Sequence, residues 1–242
     1  MRVKIVHFYP DLMSLYGSWA NVAAVQRTLE RMGHEVVLER VALGASADIA
    51  DADFLYVGAG TERAQKAALA ALLPYAPALR DAAARGAVLL FAGNAMELLG
   101  KSITDSDGRS YEALGLASFT AEQGAARYVE DVYGRSTLCD EPIVGFINKC
   151  ARIHGVETPL ITELAMGFGN DAPCAGEGYC AGSVLASELT GPLLVKNPAL
   201  LRVVVRKLLA ARGETCRDIP VDEYMARGYA VTAEQLRLCS EK

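Results

Sequence analysis

The stretch Val88-Leu89-Leu90-Phe91-Ala92-Gly93-Asn94-Ala95-Met96-Glu97-Leu98-Leu99-Gly100 decides the fold class of this chain. Its first four residues are apolar, which is typical of a strand that is buried on both faces of a parallel sheet. Helix-forming residues follow directly, so the pattern predicts a strand, a sharp turn and a short helix. Gly100 stands where a helix C-cap is expected.

The turn in this stretch is the place where many α/β hydrolytic enzymes carry a Ser or Cys nucleophile on a strained elbow. We place the elbow at Ala92, and alanine has no nucleophilic atom. The sequence therefore predicts an active-site frame that lacks its reactive residue.

Composition sets further limits on function. The chain has 242 residues, of which 52% are hydrophobic, and a formal net charge of −5. No basic run stands out and no apolar run approaches the length of a membrane span, so we expect neither a nucleic-acid partner nor a transmembrane segment. The N-terminal residues 1–6 enter a strand without the apolar core of a signal peptide, which favours the cytoplasm.

The rest of the first half alternates strand and helix patterns around this stretch. Strands are predicted at 3–8, 35–41 and 54–57, with helices at 19–32 and from about 61 to 85, the second broken by two prolines. This alternation predicts an α/β fold with a doubly wound, mainly parallel sheet. Gly58–Gly60 and Ala92–Asn94 should then meet at the carboxyl edge of the sheet, where ligands bind.

The second half of the sequence lacks this regular alternation of strand and helix patterns. Short strand-like segments occur near 126–132, 143–147, 162–166 and 183–189, and a helix is predicted at 200–209 after a start signal at Lys196–Pro198. Residues 221–239 predict two short surface helices. With no repeat and no clear linker, we expect a single domain over residues 1–242.

The six cysteines predict no metal or cofactor site. None forms a CxxC pair and no histidine lies at ligand spacing from them, so we interpret them as free thiols in a reducing compartment.

A series of short motifs runs through nearly the whole chain in a fixed order. The motifs are His7-Phe8, Leu15-Tyr16, Asn21-Val22, Val57–Gln65, Gly93, Leu98–Gly100, Asp107-Gly108, Leu114–Leu116, Ile143–Phe146, Gly167–Asn170, Glu177-Gly178 and Gly191–Asn197. Through these motifs the chain resembles class I, triad-type glutamine amidotransferases, in the branch shared with cobyric acid synthase, and most of all the glutaminase subunits of lipid II isoglutaminyl synthases.

Three departures from the family pattern affect its chemistry. The family has Cys-Gly-Gly at the elbow, where this chain has Ala92-Gly93-Asn94. The family has His-Gly-Pro as its second catalytic block, where this chain has Thr190-Gly191-Pro192, and Gly-Phe-Glu-Asn-His, where this chain has Gly145–Lys149. The resemblance therefore implies that nucleophile and general base are both lost, at Ala92 and Thr190.

Loss of these two groups should abolish glutamine hydrolysis. The family reaction passes through a thioester, which needs a thiolate nucleophile and a group that shuttles protons near neutral pH. Alanine has no thiol, and a threonine hydroxyl does not titrate in that range. Because loss of one member of such a unit costs on the order of a million-fold in rate, we expect a pseudoenzyme with no catalytic residues.

The frame itself retains candidate ligand-binding groups. The backbone amides of Gly58, Ala59, Gly60 and Gly93 are suited to hold an oxyanion or another polar ligand. The resemblance implies that Arg127 stands where the family holds the glutamine substrate, while an exposed arginine without a ligand is the alternative. Asn94 is a binding candidate as well, or it caps the following short helix, with Glu97 completing a capping box.

Three classes of function remain open. As the resemblance implies, the chain is a non-catalytic subunit of an ATP-dependent, Mur-ligase-like partner in peptidoglycan synthesis, and the sequence favours this class. Alternatively, it is a sensor that binds glutamine or a related amide or carboxylate near Arg127. In the third class it is a hydrolase with a relocated nucleophile such as Cys150, whose pKa the neighbouring Lys149 would lower.

Overall fold

The computed structural model describes residues 1–216 and 218–241 and contains two sheets. The larger sheet has six strands in the spatial order β10, β11, β4, β3, β1 and β2, all parallel except the pair β10–β11. Its strands are β1 (Arg2–Phe8), β2 (Glu35–Val41), β3 (Phe54–Val57), β4 (Val88–Ala92), β10 (Tyr179–Ala181) and β11 (Val184–Ser187). The predicted doubly wound, mainly parallel sheet is confirmed.

Helices cover both faces of this sheet because its central strands are apolar on both sides. Alternate residues of β4 point to opposite faces, so Leu89 and Phe91 pack with helices of one face, at 62–72 and 76–84, while Val88 and Leu90 pack with helices of the other face, at 20–31 and 198–211. The helices of the first half are α1 (Ala20–Arg31), α2 (Glu62–Leu72) and α3 (Ala76–Ala84). Those of the second half are α4 (Leu193–Lys196), α5 (Pro198–Ala211) and α6 (Glu223–Ser240).

The smaller sheet was not predicted. Its order is β6, β5, β7 and β8, with β9 also paired to β7, and it is dominated by the long antiparallel hairpin of β7 and β8. The strands are β5 (Ser102–Thr104), β6 (Ser110–Glu112), β7 (Thr120–Ser136), β8 (Cys139–His154) and β9 (Glu163–Met166). The sequence showed only fragments of this hairpin because β7 is largely exposed and lacks a continuous apolar face.

One local prediction is wrong. The C-terminal segment forms one helix, α6, rather than two short ones, because its central glycine, Gly228, is accommodated within the helix. Gly100 is the C-cap of the short helix Gly93–Leu99, as predicted, and its N–H donates to Glu97 C=O, although its φ of −68° is not left-handed. A side chain there would instead collide with Phe119, at 2.7 Å from its carbonyl oxygen, which explains the glycine. The start of α5 at Pro198 and the break between α2 and α3 agree with prediction.

Candidate functional site

The turn after β4 is made by Gly93 rather than by Ala92. Ala92 is still an extended strand residue, with φ −114° and ψ 143°, and it pairs with Ser187 of β11. Gly93 takes the left-handed conformation, with φ +65°, which is the strained position of an elbow. Our placement of the elbow at Ala92 was therefore one residue early. The corrected position carries no side chain at all.

A side chain at Gly93 has no room in this structure. A Cβ built there would lie 2.6 Å from the Cβ of Ala59, far inside ordinary van der Waals contact. Ala59 is itself buried in the loop Gly58–Gly60, which follows the carboxyl end of β3. The turn and the glycine-containing loop thus pack directly against each other, as expected for the carboxyl edges of adjacent parallel strands.

A cavity of about 250 Å³ opens at this edge, and we call it the elbow pocket. Of the predicted site residues, Gly58, Ala92 and Gly93 do not line it. The other predicted site residues do line it, and these are Ala59, Gly60, Asn94, Arg127 and Thr190. The lining also includes residues that were not predicted as site residues from motifs, among them Tyr16, Glu62, Glu97, Asn148, Lys149 and Cys150.

Asn94 pairs with the backbone of the glycine-containing loop and is not a helix cap. Its side-chain Oδ1 accepts a hydrogen bond from Gly60 N–H at 3.0 Å, and its Nδ2 donates to Gly60 C=O at 2.9 Å. The neighbouring amide of Ala59 donates to the hydroxyl of Ser18 at 3.3 Å. Two of the three loop amides assigned to an oxyanion frame, those of Ala59 and Gly60, therefore already have partners within the protein.

Arg127 lies at the mouth of the elbow pocket and is also engaged. Its guanidinium donates to Glu62 Oε1 at 2.5 Å and to Asn148 Oδ1 at 3.0 Å. Asn148 in turn donates to the hydroxyl of Tyr16 at 3.0 Å. The side chains of Arg127 and Glu62 are 44% and 40% exposed, so an incoming carboxylate could reach the guanidinium only in competition with Glu62.

Cys150 faces the pocket, but its environment suppresses thiolate formation. Burial and the negative charges of Glu97 and Glu62 raise the pKa of its thiol to about 12. The expectation that Lys149 lowers this pKa is wrong. Lys149 is buried on β8, and its ammonium group binds Glu188 and the carbonyls of Gly169 and Asn170. A hydrolase that uses Cys150 as a relocated nucleophile is therefore not favoured.

Thr190 follows the carboxyl end of β11 and is buried at the pocket wall. Its backbone N–H donates to Phe146 C=O at 2.7 Å, which holds the segment against β8. A threonine hydroxyl at this position cannot act as a general base near neutral pH. Through this segment the structure brings Thr190 and Asn94 to the same cavity although they are far apart in sequence.

Two buried carboxyl groups, those of Glu97 in the pocket lining and of Glu177, were missed as functional candidates. Glu97 does not complete a capping box. It is fully buried, accepts a hydrogen bond from Gln123 at 2.6 Å, and has its pKa raised to about 8 by burial and by the charge of Glu188. Glu177 is also buried, and burial raises its pKa to about 7. A glutamate inside the apolar run from Ala95 to Leu99 was the available signal.

Comparison with known proteins agrees with this architecture. The model of the CobB/CobQ-like glutamine amidotransferase domain matches residues 4–198. The chain belongs to that family. The matched region covers the larger sheet, the elbow pocket and the Gly191–Asn197 block, while α6 lies outside it.

Two relatives of this amidotransferase-family chain align with most of its length and most of their own. Both are named lipid II isoglutaminyl synthase (glutamine-hydrolyzing) subunit GatD. The one from Staphylococcus aureus (strain N315) is 25% identical over 212 residues, which cover 88% of this chain and 86% of that protein. The one from Streptococcus pneumoniae (strain ATCC BAA-255 / R6) is 26% identical over 227 residues, which cover 92% and 86%.

Solved structures share the amidotransferase fold at low sequence identity. The glutaminase domain of Trypanosoma brucei CTPS, with bound acivicin, superposes with a TM-score of 0.53 at 11% identity, covering 90% of this chain and 96% of that one. A glutamine amidotransferase from Thermotoga maritima gives a TM-score of 0.50 at 9% identity, covering 97% and 95%. Within the described residues, no helix combines the length and apolarity needed to cross a bilayer.

Proposed function

We propose that this chain is a non-catalytic glutamine amidotransferase-like subunit that acts with an ATP-dependent, Mur-ligase-like partner in the amidation of lipid II. Its two relatives are named as subunits of lipid II isoglutaminyl synthase, which supports the pathway and the need for a partner. An ATP-dependent partner favours the cytoplasm as the compartment in which the complex acts.

The observation that carries the loss of catalysis is the conformation of the elbow. The left-handed turn residue is Gly93, so we align Gly93, rather than Ala92, with the family's cysteine. Thr190 stands at the histidine position, and the nearby thiol of Cys150 has its pKa raised to about 12. The pocket therefore lacks an activated nucleophile, without which no thioester forms, whatever group exchanges protons there.

An exposed apolar surface beside the pocket supports a role in binding a partner. Leu15, Tyr16 and Trp19, which we call the entrance ridge, have 40%, 56% and 55% of their surface exposed. Leu15 and Tyr16 line the elbow pocket, and Trp19 lines a groove between α1 and α6. Large exposed side chains that cluster at a pocket mouth are typical of a protein-binding site.

The entrance ridge is held beside the family block that follows Thr190. Asn21, at the start of α1, donates to Gly191 C=O at 3.3 Å and accepts from Leu194 N–H at 2.8 Å. These bonds join the start of α1 to the Gly191–Asn197 segment. A partner that contacts the ridge would therefore lie over the pocket. In a catalytic relative, a partner at this place would receive the ammonia that the pocket releases.

Capture from the source cell tests this proposal. We expect the tagged full-length chain to recover a Mur-ligase-like protein, identified by mass spectrometry. Trp19→Asp should reduce the recovery at least tenfold, because it puts a charge into an apolar contact. Val231→Asp is the matched control, since Val231 is 67% exposed on α6, outside the entrance ridge. Failure to recover such a ligase, or equal recovery with Trp19→Asp, would contradict the proposal.

A further inference from the structure

The carboxamide of Asn94 occupies a backbone site that is suited to a primary amide. Gly60 presents its N–H and its C=O to the same side chain, and Asn94 satisfies both at 3.0 Å and 2.9 Å. A free primary carboxamide, such as the side chain of glutamine, offers the same acceptor oxygen and donor NH₂ group. Asn94 and an external amide would therefore compete for one pair of backbone groups.

Asn94 is fixed in this position by the groups around it. The side-chain amide of Gln65, on α2, donates to Asn94 C=O at 2.5 Å. Gln65 in turn accepts a hydrogen bond at 2.8 Å from Gln123 of β7, which also binds Glu97. These bonds fix the backbone of Asn94 within a network that links α2, the turn after β4 and the smaller sheet, while the Asn94 carboxamide is held by its two bonds to Gly60.

Two other asparagines make the same type of bond elsewhere. Asn170 pairs with both backbone groups of Gly178, and Asn197 pairs with both backbone groups of Val144. Those two side chains are buried and hold loops together. Asn94 differs because it is only partly buried and lines the elbow pocket, so its bonds to Gly60 close a surface that a ligand could otherwise reach.

We propose that Asn94 is a permanent internal occupant of the amide subsite, so that the chain does not bind free glutamine or other primary amides there. This inference rests on the proposed loss of catalysis and deepens it. The loop Gly58–Gly60 is held in place without substrate, and the Arg127 guanidinium is already paired with Glu62. The subunit would therefore present the same pocket to its partner at any glutamine concentration.

Calorimetric titration of the full-length chain with L-glutamine tests the inference. We expect no saturable binding to the unmodified chain at millimolar concentrations, and saturable binding to Asn94→Gly and Asn94→Ala. Both variants should prefer L-glutamine to L-glutamate, which lacks the amide donor. Gln26→Ala is the matched control, because Gln26 bonds only Glu30 on the exposed side of α1. Saturable binding to the unmodified chain, equal to that of the variants, would overturn the inference.

Amide hydrogen exchange at Gly60 gives a second measurement that needs no ligand affinity. The Gly60 N–H should exchange about tenfold faster in Asn94→Ala than in the unmodified chain, as expected for the loss of one hydrogen bond. Saturating L-glutamine should restore the protection in the variant only. If Asn94→Ala folds, as judged by its circular dichroism, but shows neither binding nor restored protection, the internal-occupant model is wrong. Neither measurement uses the partner, so failure here is separable from failure of the capture experiment.

Discussion

Adding one methyl group at the elbow, in Gly93→Ala, should destabilise the fold strongly. The left-handed φ of +65° costs an L-residue about 1–2 kcal/mol. The new Cβ would lie 2.6 Å from the Cβ of Ala59. Overpacking of this kind costs a further ~1–3 kcal/mol. We therefore expect a total loss of about 2–5 kcal/mol in the free energy of unfolding, measured by urea denaturation.

A double-mutant cycle separates the two contributions. Ala59→Gly alone should cost about 1 kcal/mol, since it removes one buried methyl group. In combination with Gly93→Ala it should relieve the clash, giving a favourable coupling of about 1–3 kcal/mol. Gly108→Ala is the matched control, because Gly108 has φ +78° and open space around it, so that only the backbone term applies. Equal costs at Gly93 and Gly108, with additivity at Ala59, would refute the steric account of the elbow.

Three further predictions concern residues that line the elbow pocket. Lys149→Met should destabilise the fold by about 3–5 kcal/mol, as measured by urea denaturation, because it leaves Glu188 buried without its ammonium partner. Adding Glu188→Gln to this variant should recover much of the lost stability, because no unpaired buried charge then remains. Glu97, whose pKa rises from 4.5 to about 8 on folding, should make the fold less stable as pH increases from about 5 to 8, and Glu97→Gln should flatten that dependence. Cys150 should alkylate far more slowly at pH 7.5 than the exposed Cys174, as followed by peptide mass spectrometry.

The sign of the pH effect follows from proton binding. Between the ordinary pKa of 4.5 and the folded value of about 8, the folded chain keeps a proton on Glu97 that the unfolded chain has released. The stabilisation is therefore complete below pH 4.5 and is lost as the pH rises through 8. If the urea midpoint varies with pH over this range in Glu97→Gln just as it does in the unmodified chain, the raised pKa of Glu97 is contradicted. Rapid alkylation of Cys150 would contradict its protonated state. If Lys149→Met leaves the free energy of unfolding unchanged, the Lys149–Glu188 ion pair contributes little to stability.

The framework of the fold was predictable because local patterns and burial agree in the parallel sheet. The apolar runs at Val88–Phe91 and Phe54–Val57 form central strands that are buried on both faces. The smaller sheet was not predictable in the same way, since the long strand Thr120–Ser136 exposes most of its residues and gains its order from pairing with the next strand.

The sequence predicted which chain segments form the site but not the exact position of the turn or the hydrogen-bond partners of the side chains. The chain segments that form the pocket were identified from motifs, but the elbow was misplaced by one residue. Ala92 and Gly93 both lack a reactive side chain, and only strand pairing with Ser187 shows where β4 ends. The partner of Asn94 is Gly60, which lies 34 residues away, so a local capping pattern could not reveal it. Such bonds depend on how distant segments pack together, and local patterns in a single sequence do not show which segments meet.

The most direct test of the proposed loss of catalysis is ammonia release from L-glutamine by the chain purified together with the proposed Mur-ligase-like partner, followed in an assay coupled to glutamate dehydrogenase. Because the elbow residue Gly93 has no side chain, we expect a rate on the order of a million-fold below that of a catalytic relative and indistinguishable from the blank, while added ammonia should still support ATP-dependent amidation by the proposed partner. Glutamine-dependent ammonia release that rises in proportion to the concentration of this chain would contradict the account.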